Sequence, residues 1–283
     1  MGYSSANEGL RETMQRIGEG AGKSPLQQLK EENAAAAALC LKAGVPSCKA
    51  LREAKGVHWR FRGLSATDLA TLGKLTPVLP ALETLCLIER SASTGPDGGQ
   101  LVEGLGVGAL PALTSFWLIN VRVGDACAST LAAALDRGAL QRLQTLQLDK
   151  ATAIGDAGLV ALAPALRRRP ALAILSLDHN PFGDEGLAAL VAPPPLDAPP
   201  PQAEALAELR VLGLDATQIT DDGCAHLASR LRSGALPALQ SLTLYGIPAS
   251  EAARAAVYEA RPGLQGWDYE SDEEGEDEDE EDV

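Results

Sequence analysis

Large apolar residues along the chain fall into one recurring frame. Six segments share the pattern L-x-x-L-x-L, with Phe116 replacing one leucine: "LETLCL" from Leu82, "LTSFWL" from Leu113, "LQTLQL" from Leu143, "LAILSL" from Leu172, "LRVLGL" from Leu209 and "LQSLTL" from Leu239. Their starts are separated by 31, 30, 29, 37 and 30 residues. Alternation across the last three positions predicts a short strand with its leucines on one side. Four of the frames are followed by a second beat: "VGDACASTLAAAL", "IGDAGLVALAPAL", "FGDEGLAAL" and "ITDDGCAHLASRL". Leucines four apart, such as Leu131 and Leu135, Leu162 and Leu166, or Leu227 and Leu231, predict one face of a helix. Self-similarity at this period predicts strand–helix units stacked along a line.

Weaker copies flank the six. In "GVHWRFRGL", Trp59 and Phe61 are expected to take the last two positions of a frame. At the other end "LQGWDY" from Leu264 offers Trp267 and Tyr269 for the same places, giving eight strands with bulky aromatics sealing both ends. The repeated Asp125, Asp156, Asp184 and Asp221 each stand just before a helix. They are expected to cap that helix by accepting hydrogen bonds from its first free N–H groups.

Three segments fall outside the repeats. Residues 1–23, with Gly18, Gly20 and Gly22, read as a flexible N-terminal segment. Residues 24–56 read as a helical cap, one helix running from Ser24-Pro25 to Gly44-Val45-Pro46 and a second from Ser47 to Lys55. The repeats then occupy 57–269. Within them a proline-rich insertion at 191–205, with two triple-proline blocks, accounts for the 37-residue spacing.

Charge changes the picture only at the end of the chain. The net charge of −14 is concentrated in residues 268–283, which hold twelve acids and no base, against 26 acids and 24 bases elsewhere. Residues 270–283 read as a disordered acidic tail suited to basic protein partners, and nucleic-acid or anionic-membrane binding is disfavoured. The five cysteines show no C-x-x-C pair and no apolar leader is evident, so reduced thiols are expected in the cytoplasm, with the nucleus also open to the protein. The longest apolar run, Ala34–Leu41, is too short to span a bilayer.

The frame followed by N-x-[ILVF]-G-D-x-G-x-x-x-L resembles the ribonuclease-inhibitor type of leucine-rich repeat. Its best copy is "LAILSLDHNPFGDEGLAAL" at 172–190, and the resemblance spans 57–269. It implies an α/β right-handed solenoid, or horseshoe, with about eight parallel strands on the concave face and helices on the convex face. The asparagine expected after the strand is present only at Asn180; Arg90, Val121, Thr217 and Ile247 hold that place elsewhere.

Candidate chemistry is sparse. "GEGAGKS" (18–24) resembles a phosphate-binding loop, but Ile17 occupies the position of its first glycine. His58, His179 and His226 lie in different repeats without a metal-binding companion, and no serine or cysteine has a nucleophile's context. No cofactor, metal or catalysis is expected. Attention passes to the outward strand positions. The residue inside each final L-x-L gives Arg60, Cys86, Trp117, Gln147, Ser176, Gly213, Thr243 and Asp268. The residue after it gives Arg62, Ile88, Ile119, Asp149, Asp178, Asp215, Tyr245 and Glu270. Cys86, Ile88, Trp117 and Ile119 form an apolar cluster with Trp117 as an exposed anchor. Asp149, Asp178 and Asp215 form an acidic ladder that calls for a cationic partner, and Tyr245 extends the same column. Ser271, followed by Asp-Glu-Glu, resembles a site for acidophilic kinases of the casein kinase II type.

The expected function is that of a monomeric, non-catalytic scaffold binding a protein with a basic surface on its concave face. Two alternatives accompany it. Ribonuclease-inhibitor-type repeats before an acidic tail resemble the Ran GTPase-activating proteins, although their G-R-N-R-like catalytic loop has no counterpart here. The tail also resembles that of acidic leucine-rich-repeat proteins that handle histones, whose repeats are shorter.

Overall fold

The computed structural model describes residues 25–90, 95–150, 153–193 and 206–266. Helices α1 (Pro25–Ala43) and α2 (Cys48–Glu53) precede the sheet. The strands are β1 (Gly56–Arg60), β2 (Thr84–Ile88), β3 (Ser115–Ile119), β4 (Thr145–Gln147), β5 (Ile174–Ser176), β6 (Val211–Gly213) and β7 (Ser241–Thr243). They pair in sequence order into one parallel sheet. After each strand the chain returns through a helix: α3 (Ala66–Leu75), α4 (Gly99–Glu103), α5 (Asp125–Asp136), α6 (Asp156–Arg167), α7 (Asp184–Leu190), α8 (Asp221–Arg232) and α9 (Glu251–Glu259). This is an α/β leucine-rich-repeat solenoid, with the sheet on one face and the helices on the other. None of the described helices is long and apolar enough to cross a membrane.

The frame leucines build the core. Leu85, Leu87, Phe116, Leu118, Leu146, Leu148, Leu175, Leu177, Leu212 and Leu242 are fully buried, and so are the helix leucines Leu131, Leu162, Leu187 and Leu227 facing them. Two residues after every frame except that of β2 the chain leaves the strand through a left-handed residue: Phe61, Asn120, Lys150, His179, Ala216 or Gly246, with φ between 51° and 69°. For an L-residue that geometry costs roughly 1–2 kcal/mol. The stack offsets it by completing the turn into the next helix.

Register corrects the first frame. Val57 pairs with Leu85 and Trp59 with Leu87, so Val57 and Trp59 are the inward residues, not Trp59 and Phe61. Phe61 takes the left-handed corner and is 52% exposed, so it seals nothing. The last frame shifts as well. Leu264 packs partly buried against the core, but Gln265 is the residue that bridges to Ser241, one residue early, and Gly266 therefore stands beside Leu242. Trp267 and Tyr269, as well as residues 1–24, 194–205 and the tail, lie outside the described residues. These describe seven strands and a bridge where eight strands are expected.

The repeated aspartates are corrected too. Each is the first residue of its helix, and Gly124, Gly155, Gly183 or Thr220 holds the cap position. The carboxylates reach forward to the next repeat. Asp125 Oδ1 accepts the Gly155 N–H at 2.7 Å, and Asp156 Oδ1 those of Gly183 (2.9 Å) and Gly186 (2.7 Å). Asp184 accepts the Thr220 N–H (2.8 Å) and hydroxyl (2.6 Å), and Asp221 accepts the Ser250 N–H and hydroxyl in the same way. Each aspartate thus serves the helix start of its neighbour. A Cβ on Gly158 would lie 2.4 Å from Asp125 Oδ1, and one on Gly223 only 2.1 Å from Asp184 Oδ1. The glycine two residues after Asp156, Asp184 and Asp221 leaves room for the carboxylate of the preceding repeat.

The asparagine expected after the strand acts where it occurs. Asn180 is buried; its Nδ2 donates to the Leu148 and Leu177 carbonyls at 2.7 and 2.9 Å, and its Oδ1 accepts from Ile154 N. At the same place Thr217 donates to its own strand's Leu214 carbonyl, while Val121 and Ile247 are buried apolar fillers. Nearer the start of the stack Asn120 Nδ2 donates to the Glu89 carbonyl at 2.8 Å, and the Glu89 carboxylate accepts the Gly63 and Leu64 N–H groups.

Candidate binding face

Two columns of outward side chains cross the sheet. The first is His58, Cys86, Trp117, Gln147, Ser176, Gly213 and Thr243, set by strand register. The second begins Arg60, Ile88 and Ile119. It continues through Asp149, Asp178, Asp215 and Tyr245, whose carbonyls accept from the left-handed residue of the preceding turn. The columns expected from sequence began with Arg60 and Arg62; the two-residue shift at β1 replaces these by His58 and Arg60. Six strand spacings give this face a length of about 29 Å.

The three aspartates do not stand free. Asp178 Oδ1 accepts the Asp215 N–H at 2.7 Å and Asp215 Oδ1 accepts the Tyr245 N–H at 2.6 Å. Asp149 accepts the N–H of Asp178 in the same manner. Each carboxylate satisfies a backbone donor that strand pairing leaves over at the end of the frame. Gly213 is required beside them, because a Cβ there would approach Asp178 Oδ1 and Ser176 Oγ to 2.8 Å. An acidic ladder that calls for a cationic partner is therefore replaced by a second set of ties between repeats.

Asp149 and Asp178 are also buried, at 5% and 6% exposure. Ser176 Oγ lies 2.6 Å from Asp149 Oδ1 and 2.9 Å from Asp178 Oδ2, yet its hydroxyl has one proton to give. One hydroxyl proton shared between two buried carboxylates favours a neutral carboxyl in the row. Burial pushes the Asp149 carboxyl up to about 7; the Ser176 hydrogen bond opposes this and the charge of Asp178 reinforces it. Burial also raises Asp178, against the hydrogen bond from Asp215.

The apolar cluster is partly closed. Cys86 and Ile88 are buried, and burial pushes the Cys86 thiol up to about 11. Trp117 and Ile119 are half-buried, so the indole is not the freely exposed anchor that its position suggests. The Trp117 Nε1 is enclosed and has no acceptor among the described residues. Tyr245, at 80% exposure, is the open aromatic of the face. Ser271 lies outside the described residues.

Sequence reasoning missed the opening end of the face. Arg60, Phe61, Arg62 and Arg90 are all exposed there, and the Arg90 guanidinium lies 5.3 Å from the centre of the Phe61 ring. None of the three arginines meets a carboxylate within ion-pair distance among the described residues. A cation over an aromatic face is worth about 0.5–1 kcal/mol when exposed, enough to orient both groups. The face therefore runs from a cationic, aromatic end, over a half-buried indole and a bonded carboxylate row, to a lone open tyrosine.

Residues 172–191 match the family model described as Leucine Rich repeat. No curated protein matches the sequence. Among solved structures the chain is similar to internalin C2 of Listeria monocytogenes, at 20% identity and a TM-score of 0.46, over 81% of this chain and 90% of that one. It is also similar to internalin F of the same organism, at 15% identity and a TM-score of 0.38, over 78% and 70% respectively. One parallel sheet in sequence order, a returning helix after every strand and the match at 172–191 give this chain the fold of a leucine-rich-repeat solenoid.

Proposed function

We propose that the protein is a non-catalytic interaction scaffold that takes a protein partner on the concave face of its sheet. The observation that carries this reading is the placement of open aromatic and cationic groups on that face. Tyr245 stands at one end and Arg60 at the other, with Trp117 and Ile119 half-buried between them and the Arg90–Phe61 pair at the rim just past β1 and β2. Aromatic and arginine side chains dominate binding energy at protein interfaces. Asp149, Asp178 and Asp215 serve this reading by holding the strand ends rigid, so the face meets a partner preformed and loses little entropy. The acidic tail adds a second element that favours basic partners and speeds encounter at low salt.

The repeats are assigned to the ribonuclease-inhibitor type. Support comes from α-helices of seven to twelve residues in α5 to α8 and from the forward reach of the G-D-x-G aspartates.

Affinity capture tests the reading. The bait is the parent beside a concave variant, Arg60→Glu with Trp117→Ala, and a convex control, Val160→Glu on α6. Partners kept by the parent and the control but lost from the concave variant support the proposal. Partners kept by the concave variant and lost from the control place binding on the helices and overturn it.

A further inference from the structure

The helical segment before β1 holds an arrangement that neither the repeats nor the concave face uses. Helix α1 carries Leu39-Cys40-Leu41 near its C-terminal end and closes with the Val45 N–H donating to the Cys40 carbonyl at 2.8 Å, over a left-handed Gly44. The chain turns at Val45-Pro46, Ser47 caps α2 through the Ala50 N–H, and Cys48 opens that helix. The turn places the two sulfurs 3.6 Å apart. Cys40 is 2% exposed, whereas Cys48 is exposed. Both line a cavity of about 610 Å³ together with Ala37, Leu41, Val45 and Pro46. Cys86, Cys127 and Cys224 are each free and buried in the repeat stack.

We propose that Cys40 and Cys48 are a redox-active dithiol, a modification site that a hydroperoxide converts into an intramolecular disulfide. Accessibility divides the roles. The Cys48 thiol loses its proton and the thiolate attacks the terminal peroxide oxygen; the O–O bond breaks, sulfenic acid forms, and the departing hydroxide, or the alkoxide of an organic peroxide, takes up that proton and leaves as water or alcohol. Cys40 then gives up its proton and attacks the Cys48 sulfur. An S–S bond forms, the S–O bond breaks, and hydroxide leaves with the Cys40 proton as a second water. Both thiols are oxidised by the two electrons that the peroxide accepts. Sulfurs in van der Waals contact need to close to about 2 Å, a movement within reach of side-chain rotation at a turn. Burial pushes the Cys40 thiol up to about 11, aided by its hydrogen bond to Cys48, so the second step is the slower one. The product ties the end of α1 to the start of α2 and closes the Gly44–Pro46 turn. Nothing in this step depends on what the concave face binds.

The test treats the full chain with hydrogen peroxide and follows free thiols, intact mass and a non-reducing peptide map. The expected result is loss of two of the five thiols, a mass lower by two hydrogens, one cross-linked peptide pair containing Cys40 and Cys48, and full reversal by dithiothreitol. Cys48→Ser, at an exposed position, should slow thiol loss by about tenfold or more, because the remaining thiols are buried. In Cys40→Ser a sulfenic acid on Cys48 should be trapped by dimedone. Oxidation of Cys48 in the parent to sulfinic acid with Cys40 left free to alkylate would overturn the proposal. So would a cross-link found only between chains.

Discussion

Replacing Asp184 by alanine gives the most informative test of how the repeats hold together, provided that it is paired with Gly223→Ala. Asp184 accepts two hydrogen bonds from Thr220, at 2.8 and 2.6 Å, and these join the starts of α7 and α8. Both groups lie near solvent, so the two charge-assisted bonds are together worth about 2 kcal/mol. In the parent, a Cβ at Gly223 would sit 2.1 Å from Asp184 Oδ1 and would drive the carboxylate off Thr220. Gly223→Ala therefore forfeits those bonds while gaining about 1 kcal/mol of helix propensity, a net cost near 1 kcal/mol. With Asp184 already removed there are no bonds left to forfeit. Only the contact with Ile219 Cγ2 at 2.9 Å opposes the propensity gain, and the same change becomes nearly neutral. Equilibrium chemical unfolding of the four proteins measures the coupling, the difference between those two effects, expected at about 1 kcal/mol. Had Asp184 capped only its own helix, the two changes would add. A coupling within about 0.5 kcal/mol of zero refutes the inter-repeat assignment.

Asp149→Asn addresses the proton in the buried carboxylate row. The folded chain keeps that proton up to about pH 7, whereas an unfolded aspartate releases it near its usual 3.8. The stability it contributes is complete below about 3.8 and is lost as pH rises through 7. The parent should lose stability relative to Asp149→Asn across that window, by a few kcal/mol in order of magnitude, and then level off; denaturation midpoints from pH 4 to 8.5 provide the check. Asn180→Ala removes the hydrogen bonds to the Leu148 and Leu177 carbonyls and from the Ile154 N–H and should cost about 3 kcal/mol by chemical unfolding. On a captured partner, Phe61→Ala should raise the dissociation rate, since an anchor contact acts mainly on the off-rate, and surface plasmon resonance would show it. Deletion of 270–283 should slow association at low salt and have little effect near 0.5 M, as a screened charge effect requires.

The strand–helix repeat was legible because burial imposes period. Leucines that must all point inward leave a pattern that polar residues cannot mask, and the six full frames coincide with β2 to β7. The first frame was misaligned because Val57, Trp59 and Phe61 alternate equally well in either register. Only the left-handed backbone at Phe61 decides between them, and φ leaves no trace in residue type there. The aspartate beat was visible, but its direction was not. Asp184 and Thr220 are 36 residues apart, and only stacking brings them into contact. The concave columns suffered for a different reason. Alternation says which side of the sheet Cys86, Ile88 and Asp149 occupy, but not that neighbouring side chains close over them. Arg60, Phe61 and Arg90 gather at the opening of the face through the corrected register, so no linear motif could have announced them.

Hydrogen–deuterium exchange of the full chain, free and bound to a partner retained in the capture experiment, tests the central claim most directly. Binding on the concave face predicts slowed exchange in peptides covering 56–62, 84–90, 115–120 and 241–246, with α5, α6 and α8 unchanged. Protection confined to those helices, with the strand peptides unaffected, would contradict it.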